Sequence, residues 1–316
     1  MKSAEPIIPT SAPVLVCAFD DNYAMSAAVM LKSAELNLAT YTQIRVFVLE
    51  RALRKANRER IAGSLDPARV QLVWVPVDEA KINGLKVDRH VSKATYYRLL
   101  IEELLPALDR AIYLDSDVLV CGDLGQLWDT PREGAHLLAA PQVSPDASTA
   151  GSVRGLRTYK ALGLASDAKL FNAGVLLIDL ALWRRDSVSD RVIAYLRQYA
   201  DEVLWWDQDG LNAILAGHWR PLDGRWNVMT SLFRYYCSWM ESPFNERDYY
   251  GMTQNPLIVH YNSTSKPWQP DYIRPFRDLF YEYLDETAWR GWRPGTGGPS
   301  SAVPSIAHEN SKESRP

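Results

Sequence analysis

Cysteine is scarce in this chain of 316 residues, and its three copies lie far apart. Cys17, Cys121 and Cys237 are odd in number and show none of the short spacings that are typical of zinc sites or disulfide frameworks. The sequence therefore excludes a small disulfide-stabilised secreted domain. Free thiols are typical of a reducing compartment, so we expect a cytoplasmic protein.

The sequence also lacks a long apolar run and a strong excess of one charge. Pro6, Pro9 and Pro13 interrupt the short apolar stretch near the N-terminus, which predicts neither a signal peptide nor a membrane-spanning helix. The formal net charge of −3 provides no basic field, so no nucleic-acid partner is expected. With 47% hydrophobic residues, the chain can bury an ordinary globular core.

Two carboxylates interrupt the apolar run from Ala111 to Val120. Asp115 and Asp117 are separated by one residue. Carboxylates at the end of a buried strand lose hydration and repel each other unless a cation lies beside them. A divalent metal ion would bind both and leave positions open for phosphate oxygens. The alternative is that Asp115 caps the following segment and Asp117 is a hydrated turn residue.

Apolar strands alternate with helical patterns through the first half of the chain. Strands are predicted at 14–19, 44–49 and 70–75, and helices at 24–36, 51–60 and 92–105. With the strand before Asp117 as the fourth, the pattern predicts an α/β fold with a mostly parallel sheet. Ligands of such sheets bind beyond the carboxyl ends of the strands. The turn at 20–23 is therefore a binding candidate, or alternatively an ordinary helix cap.

Two polar clusters in the second half each allow a functional and a structural interpretation. Asn172 and Gly174 open an aliphatic strand, where an amide and a permissive backbone could face a ligand. Asp207, Gln208 and Asp209 open a predicted helix, where they suit either a polyhydroxyl ligand or a helix cap.

A histidine ends the last short apolar strand, and a lysine follows six residues later. A single histidine after a strand is more often a hydrogen-bonded core residue than a ligand. Together, His260 and Lys266 could supply one neutral metal ligand and one cation for a diphosphate.

Six motifs in a fixed order give the chain a family resemblance over roughly residues 14–270. They are Phe19-Asp20-Asp21-Asn22-Tyr23, Thr95-Tyr96-Tyr97-Arg98-Leu99, 113–120, 171–178, Asp207-Gln208-Asp209, and His260-Tyr261 with Lys266-Pro267-Trp268. In these motifs the chain resembles the family 8 glycosyltransferases, which are retaining enzymes. The resemblance implies a Rossmann-like nucleotide-diphospho-sugar transferase (GT-A) fold and transfer of galactose or glucose from a UDP-sugar.

The resemblance also implies a metal site. Asp115, Asp117 and His260 match the family positions that hold Mn²⁺ against the diphosphate of the donor, with Mg²⁺ as a substitute. Two carboxylates and an imidazole suit this ion, which stabilises the departing UDP. Lys266 is implied to add a positive charge at the phosphates.

Further residues match positions around the donor. Those implied to contact the nucleotide or its sugar are Asp20, Asp21, Asn22, Tyr23, Arg98, Ser116, Asn172, Asp207, Gln208 and Ser263. The turn with Asp20, Asn22 and Tyr23 is implied to hold uridine. The family usually has glycine where this chain has Ser263, which predicts an altered contact with the diphosphate.

Two catalytic residues are implied, Gln208 and Asp207. Gln208 is implied to lie nearest the anomeric carbon, on the face opposite UDP. An amide is a poor nucleophile, so we favour front-side displacement over a covalent intermediate on Asp207. Two alternatives remain: a non-catalytic UDP-sugar-binding relative, and a haloacid-dehalogenase-like phosphatase with Asp115 as nucleophile and Asp117 as acid.

The implied acceptor is a saccharide of lipopolysaccharide or another cell-surface glycan. Near Gln142 the chain lacks the acidic residue that the galactosyltransferase branch uses for its acceptor, and His90 matches another acceptor-side position.

The domain prediction has four parts. Residues 1–12 form a loose leader, 13–270 the transferase domain, 271–295 a helical extension, and 296–316 a Gly/Pro/Ser-rich disordered tail. Within the extension, Trp289, Arg290, Trp292 and Arg293 predict a weak peripheral contact with the inner membrane.

Overall fold

The computed structural model of the protein describes residues 12–87 and 92–295. Its strands within these ranges are β1 (Val14–Ala18), β2 (Ile44–Glu50), β3 (Val70–Pro76), β4 (Arg110–Asp115), β5 (Val118–Val120), β6 (Leu137–Pro141), β7 (Phe171–Asp179), β8 (Trp219–Pro221), β9 (Val228–Met229) and β10 (Ile258–His260).

The same ranges contain ten α-helices. They are α1 (Ala24–Asn37), α2 (Lys55–Gly63), α3 (Ile101–Leu104), α4 (Leu124–Trp128), α5 (Leu180–Arg185), α6 (Val188–Gln198), α7 (Trp206–Ile214), α8 (Leu232–Tyr235), α9 (Glu246–Gln254) and α10 (Arg277–Leu284). Short 3-10 helices lie at Asp21–Tyr23, Ala80–Ile82, Lys93–Leu100, Gly224–Asn227 and Trp239–Glu241.

Seven strands form the main sheet in the order β3-β2-β1-β4-β7-β6-β8. The first four strands of the chain are parallel, because helical segments connect them, whereas β7 runs antiparallel to both β4 and β6. The predicted α/β fold with a mostly parallel sheet is confirmed. Buried side chains on both sheet faces form one large core cluster, and a second, smaller cluster includes Val228 and Met229 of β9.

The reversed direction of β7 creates one polar edge in this sheet. Leu114 of β4 pairs with Val175 of β7, so Asp115 at the end of β4 lies beside Gly174 near the start of β7. The carboxyl ends of β1 and β6 lie at the same edge, because both strands run parallel to β4. Residues that are distant in sequence therefore meet there.

A second sheet, in the order β5-β10-β9, brings His260 to the same edge. β5 follows Asp117 directly and pairs antiparallel with β10, with Val118 opposite His260. The N–H of Tyr261 donates to the carbonyl oxygen of Asp117 at 3.0 Å. This pairing fixes the histidine next to the carboxylates.

Two predicted helices differ from those observed. The segment predicted as a helix over 92–105 is a 3-10 helix over Lys93–Leu100 that continues into α3, and within it the Arg98 guanidinium donates to the carbonyl oxygen of Thr95 at 3.1 Å. The helix predicted at 51–60 begins at Lys55, because the chain turns at Ala52 with φ of 61°.

The C-terminal segment packs into the main core. The Tyr283 hydroxyl of α10 accepts a hydrogen bond from Asn37 of α1 at 2.7 Å. Trp289 is only 4% exposed, and the Arg60 guanidinium lies 3.9 Å above its ring. Arg293 forms an ion pair with Asp285 at 2.7 Å. Contrary to the prediction, Trp289 is therefore not available for contact with a membrane surface.

Several predictions concern residues outside the described ranges. The leader up to residue 11, the tail from residue 296, and the acceptor-side candidate His90 are among them. None of the helices within 12–87 and 92–295 combines the length and apolar character needed to cross a membrane.

Asp209 stabilises the turn from which α7 begins. Its Oδ2 accepts hydrogen bonds from the N–H groups of Leu204 at 2.7 Å and Trp205 at 3.0 Å, and Trp206 has φ of 47°. Burial raises the pKa of Asp209 to about 6, although both N–H donors favour the ionised form. The turn thus depends on a carboxyl group that is costly to ionise.

We predict that Asp209 weakens the fold as pH rises from about 4 to about 6. Its folded pKa is higher than in the unfolded chain, so the folded state binds the proton more tightly. Asp209→Asn keeps an oxygen acceptor and removes this titration. As pH rises from 4 to 7, the free energy of unfolding of Asp209→Asn should increase relative to that of wild type by on the order of 3 kcal/mol.

Urea unfolding at several pH values measures this difference. Asp167→Asn, at an exposed carboxylate, is the matched control and should run parallel to wild type. Equal pH dependence of wild type and Asp209→Asn would contradict the prediction.

Candidate active site

A cleft of about 450 Å³ opens at the polar edge of the main sheet. This volume falls in the range of small-molecule sites. Its described lining includes Asp20 and Tyr23 after β1, Asp115 at the end of β4, Asn172 in β7 and Gln208 in α7. These residues come from four of the six sequence motifs. Arg98 and His260, which also line the cleft, come from the other two motifs.

Asp115, Asp117 and His260 form a three-residue cluster in this cleft. The Nε2 atom of His260 lies 3.4 Å from Oδ1 of Asp117 and 3.8 Å from Oδ2 of Asp115. One ligand atom from each residue lies within 4.8 Å of the others, so a single ion can reach all three. Oxygen ligands and a neutral imidazole together suit a divalent cation of the Mn²⁺ type.

Gly174 makes the close approach of these ligands possible. A Cβ atom at this position would lie 2.3 Å from Cε1 of His260 and 2.8 Å from Oδ2 of Asp115. Both distances are too short for real contacts, so any side chain here would displace two of the three candidate ligands. The glycine identified in the sequence is thus required by packing against the cluster.

A chain of hydrogen bonds determines which nitrogen of His260 carries the proton. The N–H of Gly174 donates to Oδ1 of Asn172 at 3.0 Å, which identifies this atom as an acceptor. Nδ2 of Asn227 donates to the same oxygen at 2.9 Å, so Oδ1 of Asn227 must face Nδ1 of His260, at 3.0 Å. Nδ1 is therefore the donor, and Nε2 presents a free lone pair to a metal ion.

Lys266 lies against the same cluster. Its ammonium donates to Oδ2 of Asp117 at 2.5 Å and to the carbonyl oxygen of Tyr261 at 2.7 Å. Burial alone would raise the pKa of Asp117, but the positive charge of Lys266 outweighs it and keeps this pKa below its usual range. The carboxylate is thus ionised and ready to bind a cation.

Arg98 connects two carboxylates beneath the cleft. Its guanidinium is buried at 4% exposure, donates to Oδ1 of Asp115 at 2.7 Å and pairs with Oδ2 of Asp207 at 2.9 Å. It also donates to the carbonyl oxygen of Ala173. Although burial opposes its charge, Asp115 and Asp207 raise the pKa of Arg98 further. The guanidinium therefore orients residues of β4, β7 and α7 together.

Asp207 is engaged by protein groups on both sides. Besides the ion pair with Arg98, it accepts a hydrogen bond from the Thr95 hydroxyl at 2.7 Å, and it is 3% exposed. Burial raises the pKa of Asp207, and Arg98 only partly offsets this effect. Gln208 is more accessible; its Oε1 accepts from Nδ2 of Asn172 and from the N–H of Ala173, both at 3.1 Å.

The turn after β1 divides its residues between two sites. Asp20 and Tyr23 line the cleft, and Ser116 and Ser263 lie there as well. Asp21 and Asn22 instead line a second, smaller pocket.

Asp21 has a structural reason to face away from the cleft. Its carboxylate accepts from Nδ2 of Asn57 at 2.7 Å and from the N–H of Arg54 at 3.1 Å, which ties the turn to α2. Asp21 and Asn22 therefore lie outside the described lining of the main cleft. The sequence did not reveal the contact of Asp21 with α2, because acidic residues beside arginines are common on helices.

A family model for glycosyl transferase family 8 matches residues 14–271. The chain belongs to glycosyltransferase family 8. General stress protein A of Bacillus subtilis is 30% identical over 283 residues, covering 87% of this chain and 94% of that protein. The lipopolysaccharide 1,2-glucosyltransferase of Escherichia coli is 24% identical over 280 residues, covering 87% of this chain and 78% of that protein.

Solved structures agree with this family 8 assignment. The galactosyltransferase LgtC, crystallised with donor and acceptor sugar analogues, is 31% identical, with a TM-score of 0.74 and coverage of 87% of this chain and 96% of that one. The predicted GT-A fold is confirmed, and the phosphatase alternative is excluded because the family match includes both carboxylates.

Sequence reasoning missed several residues of this family 8 cleft. Asn227 contacts His260 from an element that no spacing connects to it, and the Thr95 hydroxyl contacts Asp207, although only Arg98 of its motif was implied to be a site residue. Arg154, Arg234 and Arg274 line the cleft as well. Asn227 directly precedes β9, and only the pairing of β9 with β10 brings it to His260. These residues can be identified only once that strand pairing is known.

We predict that Asn227 supports metal binding through His260. Asn227→Ala removes the acceptor for Nδ1 and frees the ring to turn or change tautomer, so affinity for Mn²⁺ should fall roughly 10- to 100-fold. Asn227→Asp retains an acceptor for Nδ1 and should keep more of the affinity. Calorimetric titration of Mn²⁺ into the UDP-bound protein measures this.

Asn245→Ala is the matched control, because Asn245 caps α9 outside the cleft lining. It should bind Mn²⁺ as wild type does. Unchanged Mn²⁺ affinity in Asn227→Ala would show that the ring is held by other contacts.

Proposed function

We propose that this family 8 protein is a retaining hexosyltransferase that moves galactose or glucose from a UDP-sugar to a saccharide acceptor with the help of Mn²⁺. The observation that carries the proposal is the cluster of Asp115, Asp117 and His260 beside Lys266 in a cleft. The family relatives include a lipopolysaccharide glucosyltransferase and a galactosyltransferase, which supports a hexose donor.

In this proposal each end of the cleft has its own task. Asp20 and Tyr23 bind the nucleoside, Asp115, Asp117 and His260 hold the metal ion, and Ser116 and Ser263 lie at the phosphates. When bound, the metal ion neutralises charge that develops on the departing diphosphate. Lys266 adds a fixed positive charge for the same purpose.

The donor sugar is assigned to the floor of the cleft. Arg98, Asn172, Asp207 and Gln208 lie there, and Arg98 keeps the carboxylate of Asp207 oriented. The amide of Gln208 is oriented by Asn172 and the N–H of Ala173. Such an amide can stabilise positive charge at the anomeric carbon by its dipole, but it is a poor nucleophile.

We infer a front-side displacement. The bond from the anomeric carbon to the diphosphate oxygen breaks while a bond to the acceptor oxygen forms on the same face. The proton of the acceptor hydroxyl passes to the departing diphosphate oxygen. The engagement of Asp207 with Arg98 and Thr95 supports this route, because a paired carboxylate is a weak nucleophile.

The remaining assignments belong to the same proposal. The acceptor is a saccharide of lipopolysaccharide or another surface glycan, and the protein acts in the cytoplasm. The transferase domain covers 13–270. The alternative of a UDP-sugar-binding protein without turnover has no specific observation in its favour.

We predict that UDP release depends on the metal cluster. Wild type should release UDP from UDP-galactose or UDP-glucose with Mn²⁺ present and lose this activity with EDTA. Asp117→Ala should reduce the rate by more than about 100-fold, because it removes a metal ligand and the partner of Lys266. Asp167→Ala, at an exposed carboxylate, is the control and should match wild type.

Either of two outcomes would contradict the proposal. One is the absence of UDP binding in the presence of Mn²⁺. The other is UDP release that EDTA and Asp117→Ala leave unchanged.

We also predict that azide does not rescue a variant without the Asp207 carboxylate. If Asp207 formed a covalent intermediate, azide would enter the space left by Asp207→Ala and yield a glycosyl azide of inverted configuration. Front-side displacement predicts no such product. Nuclear magnetic resonance of the products decides between the two, and UDP binding by the variant shows that its cleft is intact.

A further inference from the structure

The positive charges in the cleft fall into two groups. Arg98 and Lys266 are buried and paired with carboxylates of the metal cluster and α7. Arg154, Arg234 and Arg274 also line the cleft but take no part in these pairs. This second group, here called the arginine rim, has no role in the proposed handling of the donor.

Arg154 and Arg234 of the rim lie on the side of the metal cluster away from the nucleoside turn. In the main sheet, β4 and β7 separate β1 from β6. Asp20 and Tyr23 follow β1, whereas Arg154 belongs to the loop after β6. The Tyr236 hydroxyl donates to the carbonyl oxygen of Val143 at 3.2 Å, which brings the end of α8 to that loop.

Arg274 lines the cleft from a third segment, next to the strand that carries His260. Its guanidinium donates to the carbonyl oxygen of Thr230 at 3.4 Å, and the N–H of Thr230 in turn donates to the carbonyl oxygen of His260 at 2.9 Å. Three separate segments thus bring arginines to the lining of the cleft.

Carboxylates do not neutralise this rim in the part of the chain that the structure describes. No ion pair forms there at Arg234 or Arg274, and Arg154 has a single long one, 3.6 Å to Asp146. The acidic residues of the described cleft lining are Asp20, Asp115, Asp117 and Asp207, and all come from the donor side and the floor. Like charges gathered without counter-charges repel, so they favour an anionic ligand.

Aromatic rings accompany the rim. The Arg154 guanidinium lies 4.4 Å from the centre of the Trp205 ring, and that of Arg234 lies 5.8 Å from the Tyr235 ring. Both rings line the cleft. Flat apolar rings beside guanidinium groups suit a ligand with an apolar face and a charged substituent, as a charged sugar has.

We propose that the arginine rim binds an anionic group of the acceptor, so the acceptor is a saccharide that carries a phosphate or a carboxylate. This inference rests on the proposed function. The diphosphate of the donor does not need the rim, because Lys266 and the metal cluster lie on its side of the cleft. Guanidinium groups bind both phosphate and carboxylate through paired hydrogen bonds.

The test is a binding measurement that does not require turnover. Glucose 6-phosphate, glucuronate and neutral glucose are titrated calorimetrically into the protein loaded with UDP and Mn²⁺. UDP is bound to the metal ion before the sugar is added. A charged sugar that binds only as a ligand of the metal ion would therefore not depend on the arginine rim. Wild type should bind at least one of the two charged sugars about 10-fold or more tightly than glucose, and added salt should reduce the difference.

Variants of the rim complete the test. Arg234→Gln with Arg274→Gln should abolish the preference for charged sugars and leave affinity for UDP unchanged. Arg247→Gln removes an exposed arginine of α9 outside the cleft lining and should behave as wild type. The two charged sugars distinguish phosphate from carboxylate recognition.

The outcomes separate this inference from the proposed function. Wild type that binds UDP with Mn²⁺ but shows no preference for a charged sugar would overturn the inference alone. Loss of UDP affinity in the rim variant would assign the arginines to the donor and overturn it as well. Absence of UDP binding to wild type would overturn the proposed function.

Discussion

The cleft depends on the compensation of buried negative charge. Asp115, Asp117 and Asp207 would repel one another in a desolvated site, and Arg98 and Lys266 hold them in place before any ligand binds. Removal of one cation would leave an unpaired buried carboxylate, which is among the more costly defects in a protein interior. These pairs therefore keep the site charged and rigid.

Hydrogen bonds between uncharged groups orient further side chains across the floor of the cleft. Asn172 is the central residue, because its side chain contacts the N–H of Gly174, Asn227 and Gln208. Through Asn227 it orients His260, and through Gln208 it reaches the start of α7. A metal ligand and a residue assigned to the donor sugar thus belong to one hydrogen-bond network, so a change in either alters the interactions of the other.

Much of this arrangement could be predicted from the chain alone. The apolar strands and their polar ends indicated the parallel sheet, and motif order pointed to the family before any geometry was known. Prediction was weaker where local pattern and tertiary contact disagree. Lys93–Leu100 has a helical sequence pattern but forms a 3-10 helix that carries the buried Arg98, and Trp289 resembles a surface anchor but packs against Arg60.

The sequence by itself determined which residue types are present and which polar residues lie at the ends of strands. Hydrophobic periodicity and the polarity of strand ends are local properties of the chain. The family resemblance of its motifs then implied Asp115, Asp117 and His260 as a set. Only the tertiary structure decided which side chains face the cleft: it turned Asp21 towards α2, brought Asn227 to His260 and gathered Arg154, Arg234 and Arg274. The physical reason is that these contacts arise from the pairing of strands and the packing of loops distant in sequence, which no local spacing encodes.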